Sequence, residues 1–265
     1  KHVLIEKPIA LNTKEAGALK ELADKHKVNL MVGHVLLFHP AIIKIKELID
    51  SGKIGKLEYI YSNRLNLGTV RTEENILWSF APHDISIFEY FIGSNPTEVV
   101  SRGGAFLTPG IHDTTMTSLT YPNNVVGHIF VSWLHPFKEH RMVMIGSKGM
   151  ISFEDSSEEK DILFYEKGID WVQGEPIKRD GPTEVIPYDK GFPLTNEIQY
   201  FIDHLDGSKL GIADGQNAFD VLEVLEKATH SLQGTKADDN SETSASESDF
   251  FVHPTSEVDA GVTVG

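Results

Sequence analysis

Cysteine is absent from the 265 residues, which excludes disulfides, thiolate metal sites, iron–sulfur clusters and a cysteine nucleophile, and agrees with a reducing cytoplasm. Basic residues are few: 24 Lys and Arg stand against 39 Asp and Glu, a formal charge of −15. Nucleic acid and acidic membrane surfaces bind through basic clusters, so neither is an expected partner. Apolar runs stay far short of the ~20 residues that cross a bilayer, and no charged leader with an apolar core marks a secretory signal. The Gly-x-Gly-x-x-Gly fingerprint, the Walker phosphate loop and the Gly-x-Ser-x-Gly elbow are all missing. The histidines lack metal-ligand spacing with a carboxylate partner, so no metal is expected.

What is present describes an α/β part followed by an α+β part. Val3–Ile5, a helix capped by Asn12 or Thr13 with Ala16, Leu19, Leu22 and Ala23 inward, and Val28–Val32 read as strand, helix, strand, a right-handed parallel crossover. Such a sheet needs more strands, and these are expected upstream of Lys1. A helix over Pro40–Asp50 follows. The period then changes to alternation at Leu57–Leu65, Ser118–Tyr121, Val125–Trp133, Met142–Ile145, Met150–Phe153 and Ile162–Tyr165, which predicts a mostly antiparallel sheet. Asp84–Ile92 predicts a helix within this run, and residues 196–205 and 216–233 predict two more. Residues 236–249 carry five acids, one base and no large apolar group, the composition of a flexible linker. Val252, Val258 and Val264 then recur every six residues, as in the coils of a parallel β-helix.

Glu6-Lys7-Pro8 lies at the carboxyl end of the first strand, where open α/β sheets place their ligand crevice. A Lys-Pro bond can be cis and could aim the ammonium into that crevice, where it could hydrogen-bond a substrate hydroxyl and help hold a nicotinamide. Pro82-His83-Asp84 reads as a helix start, with Asp84 as the cap and His83 in the preceding loop, a fit side chain for taking a hydroxyl proton. Arg64, Asn66 and Arg71 in NRLNLGTVR, with Lys138 and Arg141 after the strand ending at Trp133, are candidate contacts for a diphosphate or carboxylate. His39 is the next candidate for proton transfer; His34 and His39 otherwise flank an apolar turn.

The segments VLIEKPIA, VGHVLLFHPAI, APHDISIFEYFIG, VSWLHPFKEHRMVMIGSKGMISFED and ADGQNAFDVLEVLEKATHSLQG occur in the order that resembles the glucose-fructose oxidoreductase and inositol dehydrogenase family, over residues 1 to about 235. Within it, RLNLGTVRTEENILWSFAPHDIS is similar to nucleotide-sugar 3-dehydrogenases. The resemblance implies catalytic Lys7 and His83, cofactor contacts at Glu6, Lys7 and Pro8, and oxidation of the C3 hydroxyl of a UDP-N-acetylhexosamine or its uronic acid. It implies NAD, with NADP left open because the residue that reads the ribose is expected upstream. It also implies a homo-oligomer through the open sheet and a cytoplasmic enzyme. Ser79 and Ser86 stand where many members carry aspartate, and His39 where asparagine is common, which leaves an Asp-His relay in doubt. A keto-sugar nucleotide reductase and a non-catalytic sugar-binding protein are the alternatives. The expected domains are a Rossmann remnant at 1–38, a substrate domain at 39–235, the linker at 236–249 and a hexapeptide-repeat coil at 250–265, similar to the start of an acyltransferase in a polysaccharide pathway. Lacking the glycine-rich loop, residues 1–265 alone are expected to be inactive.

Overall fold

Val3–Ile5 (β1), Thr13–His26 (α1) and Leu30–Val32 (β2) form one parallel crossover in the computed structural model, which describes residues 1–237. Asn12 caps α1 by accepting from the Glu15 N–H at 2.9 Å, and Lys27 ends it in the left-handed region at φ 52°. Ala16 and Ala23 face inward as the pattern predicts. Leu19 and Leu22 do not: they are 39% and 54% exposed, while α1 packs on Gly215–Ala237.

Pro40–Asp50 (α2) starts on His39, whose ring nitrogen accepts from the Ala41 N–H, and has proline in its first turn. Its Ile42 and Ile45 are buried. The large sheet then assembles from Leu57–Leu65 (β3), Glu98–Gly104 (β4), Thr114–Thr120 (β5), Val126–Ser132 (β6), Glu139–Gly146 (β7), Met150–Glu154 (β8), Ile162–Val172 (β9) and Glu175–Ile186 (β10). The strand order is β10-β9-β8-β7-β3-β6-β5-β4, and only β3 and β6 run parallel. Ile60, Ile129 and Met144 sit side by side on one face, fully buried. On the other, Val100 and Met116 are 38% and 47% exposed. β4 and β10 are strands that the alternation does not predict. β4 ends in Ser-Arg-Gly-Gly, and β10, at the edge, is exposed on both faces along most of its length, so neither carries a period-2 signature.

Ile76–Ile92 (α3) covers the buried face and differs from the expected start. It begins at Asn75, whose side chain accepts from the Trp78 N–H, and Pro82 lies inside it. Asp84 is therefore no cap and His83 no loop residue; both stand in the second turn and beyond. Pro193–Asp203 (α4) packs on the 3-10 turn Val35–Phe38, where Asn196 donates to the Phe38 carbonyl at 3.1 Å. Gly215–Ala237 (α5) ties the two sheets together. Its Glu226 accepts from the Thr13 hydroxyl at 2.7 Å, its Thr229 from the Trp78 indole at 2.9 Å and its Ser231 from the Ser101 N–H at 2.9 Å. The linker expected from residue 236 begins inside this helix; the rest of it and the hexapeptide coil lie outside the described residues.

Candidate active site

The site grows from the carboxyl ends of β1 and β2. Gly33 donates to the Ile5 carbonyl at 2.8 Å, which draws the two strand ends together. A side chain at Gly33 would meet the Glu6 carboxylate at 2.9 Å, so any larger residue there would push the Glu6 side chain aside. Lys7, joined to Pro8 by a cis bond, follows directly. Its Nζ donates to the Ser79 carbonyl at 3.1 Å in the turn of α3 before His83. Pro82, inside α3, has no N–H to donate back to that turn.

His83 thus points from within α3 toward Lys7, with its Nδ1 enclosed and unpartnered. Burial first, then the charges of Arg64 and Lys7 and the rings of His34 and His140, hold His83 well below 6.5, so the imidazole is neutral at physiological pH. Lys7 is also lowered, mainly by burial; Glu74 and Glu6 offset part of this, while Arg71 and Arg64 add to it. His34, at one end of the apolar turn Val35–Phe38, is 2% exposed with both ring nitrogens unpartnered. Burial and then Lys7 lower it to about 4. A lone histidine beside Val35 and Leu36 looks like core; its signal is its place two residues past the end of a parallel strand.

The remaining candidates divide. Arg64 is buried in a bidentate pair with Asp84, Nε to Oδ2 at 2.8 Å and Nη2 to Oδ1 at 3.1 Å. It serves the cluster as a fixed positive charge behind His83 rather than as a free ligand contact. Arg71 is exposed in the loop after β3 and acts on Lys7 by its charge, as does Glu74. Asn66 lies half-buried in the same loop, and its backbone N–H donates to the Ser132 carbonyl. Lys138 is exposed and contributes, after burial and Arg64, to holding His140 at about 4. Arg141 is not brought to the cluster. Strand alternation turns it to the opposite face of β7 from His140, where Glu154 holds it at 2.9 Å. His39 is likewise occupied, capping α2 and standing 3.6 Å from Asp155.

These residues fit the reacting end of a nicotinamide cofactor. A lysine, a neutral histidine and a second histidine with unpartnered buried nitrogens converge where such sheets bind dinucleotides. No pyrophosphate loop accompanies them among the described residues.

Comparison with known proteins gives the same outline. Residues 1–34 match the oxidoreductase family with an NAD-binding Rossmann fold, and residues 42–152 match the GFO/IDH/MocA C-terminal domain. UDP-N-acetylglucosamine 3-dehydrogenase from Acidithiobacillus ferrooxidans is 26% identical over 217 residues, 81% of this chain and 66% of that protein. The scyllo-inositol 2-dehydrogenase (NAD(+)) of Bacillus subtilis is 25% identical over 88% of this chain and 69% of its own length. An uncharacterized oxidoreductase of the same bacterium, YrbE, is 29% identical, with 59% of this chain aligned to 49% of it. The chain thus spans about half to two thirds of these relatives. Among solved structures, that of the A. ferrooxidans 3-dehydrogenase superposes with a TM-score of 0.75 at 24% identity, over 88% of this chain and 72% of that one. An inositol dehydrogenase homolog complexed with NAD+ from Azotobacter vinelandii follows at 0.72 and 16%, over 88% and 70%.

Proposed function

We propose, for a chain that belongs to the Gfo/Idh/MocA oxidoreductase family by both of its matched domains, that it is the catalytic part of an NAD-dependent dehydrogenase oxidising the C3 hydroxyl of a UDP-N-acetylhexosamine or its uronic acid. The observation that carries this reading is the convergence of Lys7 and neutral His83 at the ends of β1 and α3. NAD, when bound, supplies the two-electron acceptor for the hydride. His83 takes the hydroxyl proton on a ring nitrogen as the carbon gives up its hydrogen with both electrons, and the C–O bond becomes a carbonyl. Lys7 donates a hydrogen bond to that oxygen and favours the negative charge developing on it. Burial, reinforced by Arg64, held by Asp84, and by Lys7, keeps His83 unprotonated and ready to accept.

The test is to mix full-length protein with NAD and UDP-N-acetylglucosamine and follow the reduced nicotinamide band, then to run the keto sugar with reduced cofactor. Turnover in either direction separates an enzyme from a sugar-binding protein, and no turnover of any nucleotide sugar overturns the substrate.

The same reading includes a homo-oligomer formed through the open sheet face. Supporting it, Trp171 is 72% exposed at the far end of β9, on the face that Val100 and Met116 share by alternation. A lone two-stranded ribbon is marginal in water, so a second copy packed on this face would stabilise it. Sedimentation of Trp171→Asp should give monomers; an unchanged assembly excludes this face.

A further inference from the structure

The two histidines around the turn Val35–Phe38 differ in a way that their sequence context does not. His39 is satisfied, its Nδ1 accepting from the Ala41 N–H at 3.1 Å and its Nε2 lying 3.6 Å from Asp155. His34 is equally buried and has no partner at either nitrogen. Its backbone sits at φ −83° and ψ 61°, and its N–H donates to the Val32 carbonyl at 2.7 Å across Gly33, which anchors the residue at the strand end. Buried polar atoms are nearly always hydrogen-bonded, and leaving one unmet costs about 1–3 kcal/mol. Lys7, the charge that acts on His34, already donates to Ser79 and cannot accept from it.

The enclosed ring is therefore left with an unmet donor and an unmet acceptor, and lone-pair counting says which part of a ligand could meet them. The product carbonyl has two lone pairs, one taken by Lys7 and one by protonated His83. No place remains on that oxygen for His34. A neutral imidazole offers one donor and one acceptor. A carboxylate can meet only the donor, whereas a hydroxyl can meet either. Resting on the dehydrogenase reading above, we propose that His34 is a specificity-determining ligand contact that holds the hydroxyl on the carbon next to the one oxidised, so that the site favours vicinal diols.

The experiment uses full-length protein with NAD, UDP-N-acetylglucosamine and its 4-deoxy analogue, with scyllo-inositol and a deoxy-inositol in their place if the inositol is the one turned over. Wild type should lose about a hundredfold in kcat/KM on the deoxy compound, the scale of an unmet buried group. His34→Phe should lose a similar factor on the parent, mostly in KM, and discriminate less than about threefold between the two. His34→Asn, which keeps a donor and an acceptor, should recover part of both the rate and the discrimination; it also serves if the phenylalanine variant does not fold. Full discrimination retained by His34→Phe or His34→Asn, or wild-type activity in either, overturns the role of His34 alone. A wild type that oxidises none of these compounds overturns the substrate of the dehydrogenase reading, and this inference, which rests on it, falls too.

Discussion

Lys7 and His83 carry charges set by their surroundings rather than by their type, and that fixes what their variants should do. His83 is lowered well below 6.5 by burial, Arg64 and Lys7, and a base works only when unprotonated. The acid limb of kcat/KM should therefore fall below pH 6.5, and His83→Asn should lower the rate and erase that limb; an unchanged profile would move the base elsewhere. Lys7 is needed protonated, and since burial lowers it from 10.5, the alkaline limb should begin below that value. Lys7→Ala should fold and lose about a hundredfold in kcat; more than about a tenth retained would remove it from the mechanism. Both residues are legible because they adjoin an unambiguous strand end and an apolar helix. His34 is not, since its lack of partners exists only once three elements have met.

At the scale of elements, α3 is the instructive case. Proline before a polar pair is the usual mark of a helix start, so Pro82-His83-Asp84 reads as a cap. The actual start at Asn75 is the better capper, and the fully buried Ile76, Leu77, Ala81 and Ile85 hold the helix through its proline. Asp84 is thereby buried at the base of the site and bound to Arg64, with side chains 2% and 12% exposed. Removing one partner of such a pair leaves a buried charge, so Asp84→Ala should cost about 3–5 kcal/mol in denaturant unfolding. Arg141 is 44% exposed in its pair with Glu154, and Arg141→Ala should cost less than about 1 kcal/mol. Equal costs would mean that burial does not distinguish the two. The central strands are legible because one face is core and the other is not. β10 is illegible because an edge strand with solvent on both sides has no reason to alternate.

The whole molecule joins the crossover to the large sheet, and its pH dependence is written at that joint. Glu197 on α4 is 2% exposed with Oε1 unpartnered, and burial, together with the charge of Glu6 at the end of β1, raises it to about 7. A raised carboxyl binds its proton more tightly folded than unfolded, so its contribution is complete below pH 4.5 and is lost as pH rises through 7. His34 and His140, lowered to about 4, act in the opposite sense: their contribution is complete above 6.5 and is lost as pH falls toward 4. Between pH 4.5 and 6.5 the two effects oppose each other, which hides both in the stability of the wild type. Glu197→Gln keeps the shape of the neutral acid and cannot ionise, so it removes one side of the opposition. Measured by denaturant unfolding at fixed ionic strength, the stability of the variant relative to wild type should rise by up to about 3 kcal/mol between pH 4.5 and 8. A difference that stays constant over this range would mean that Glu197 is ionised throughout, and that the contact between α4 and the end of β1 is wetter than its burial implies.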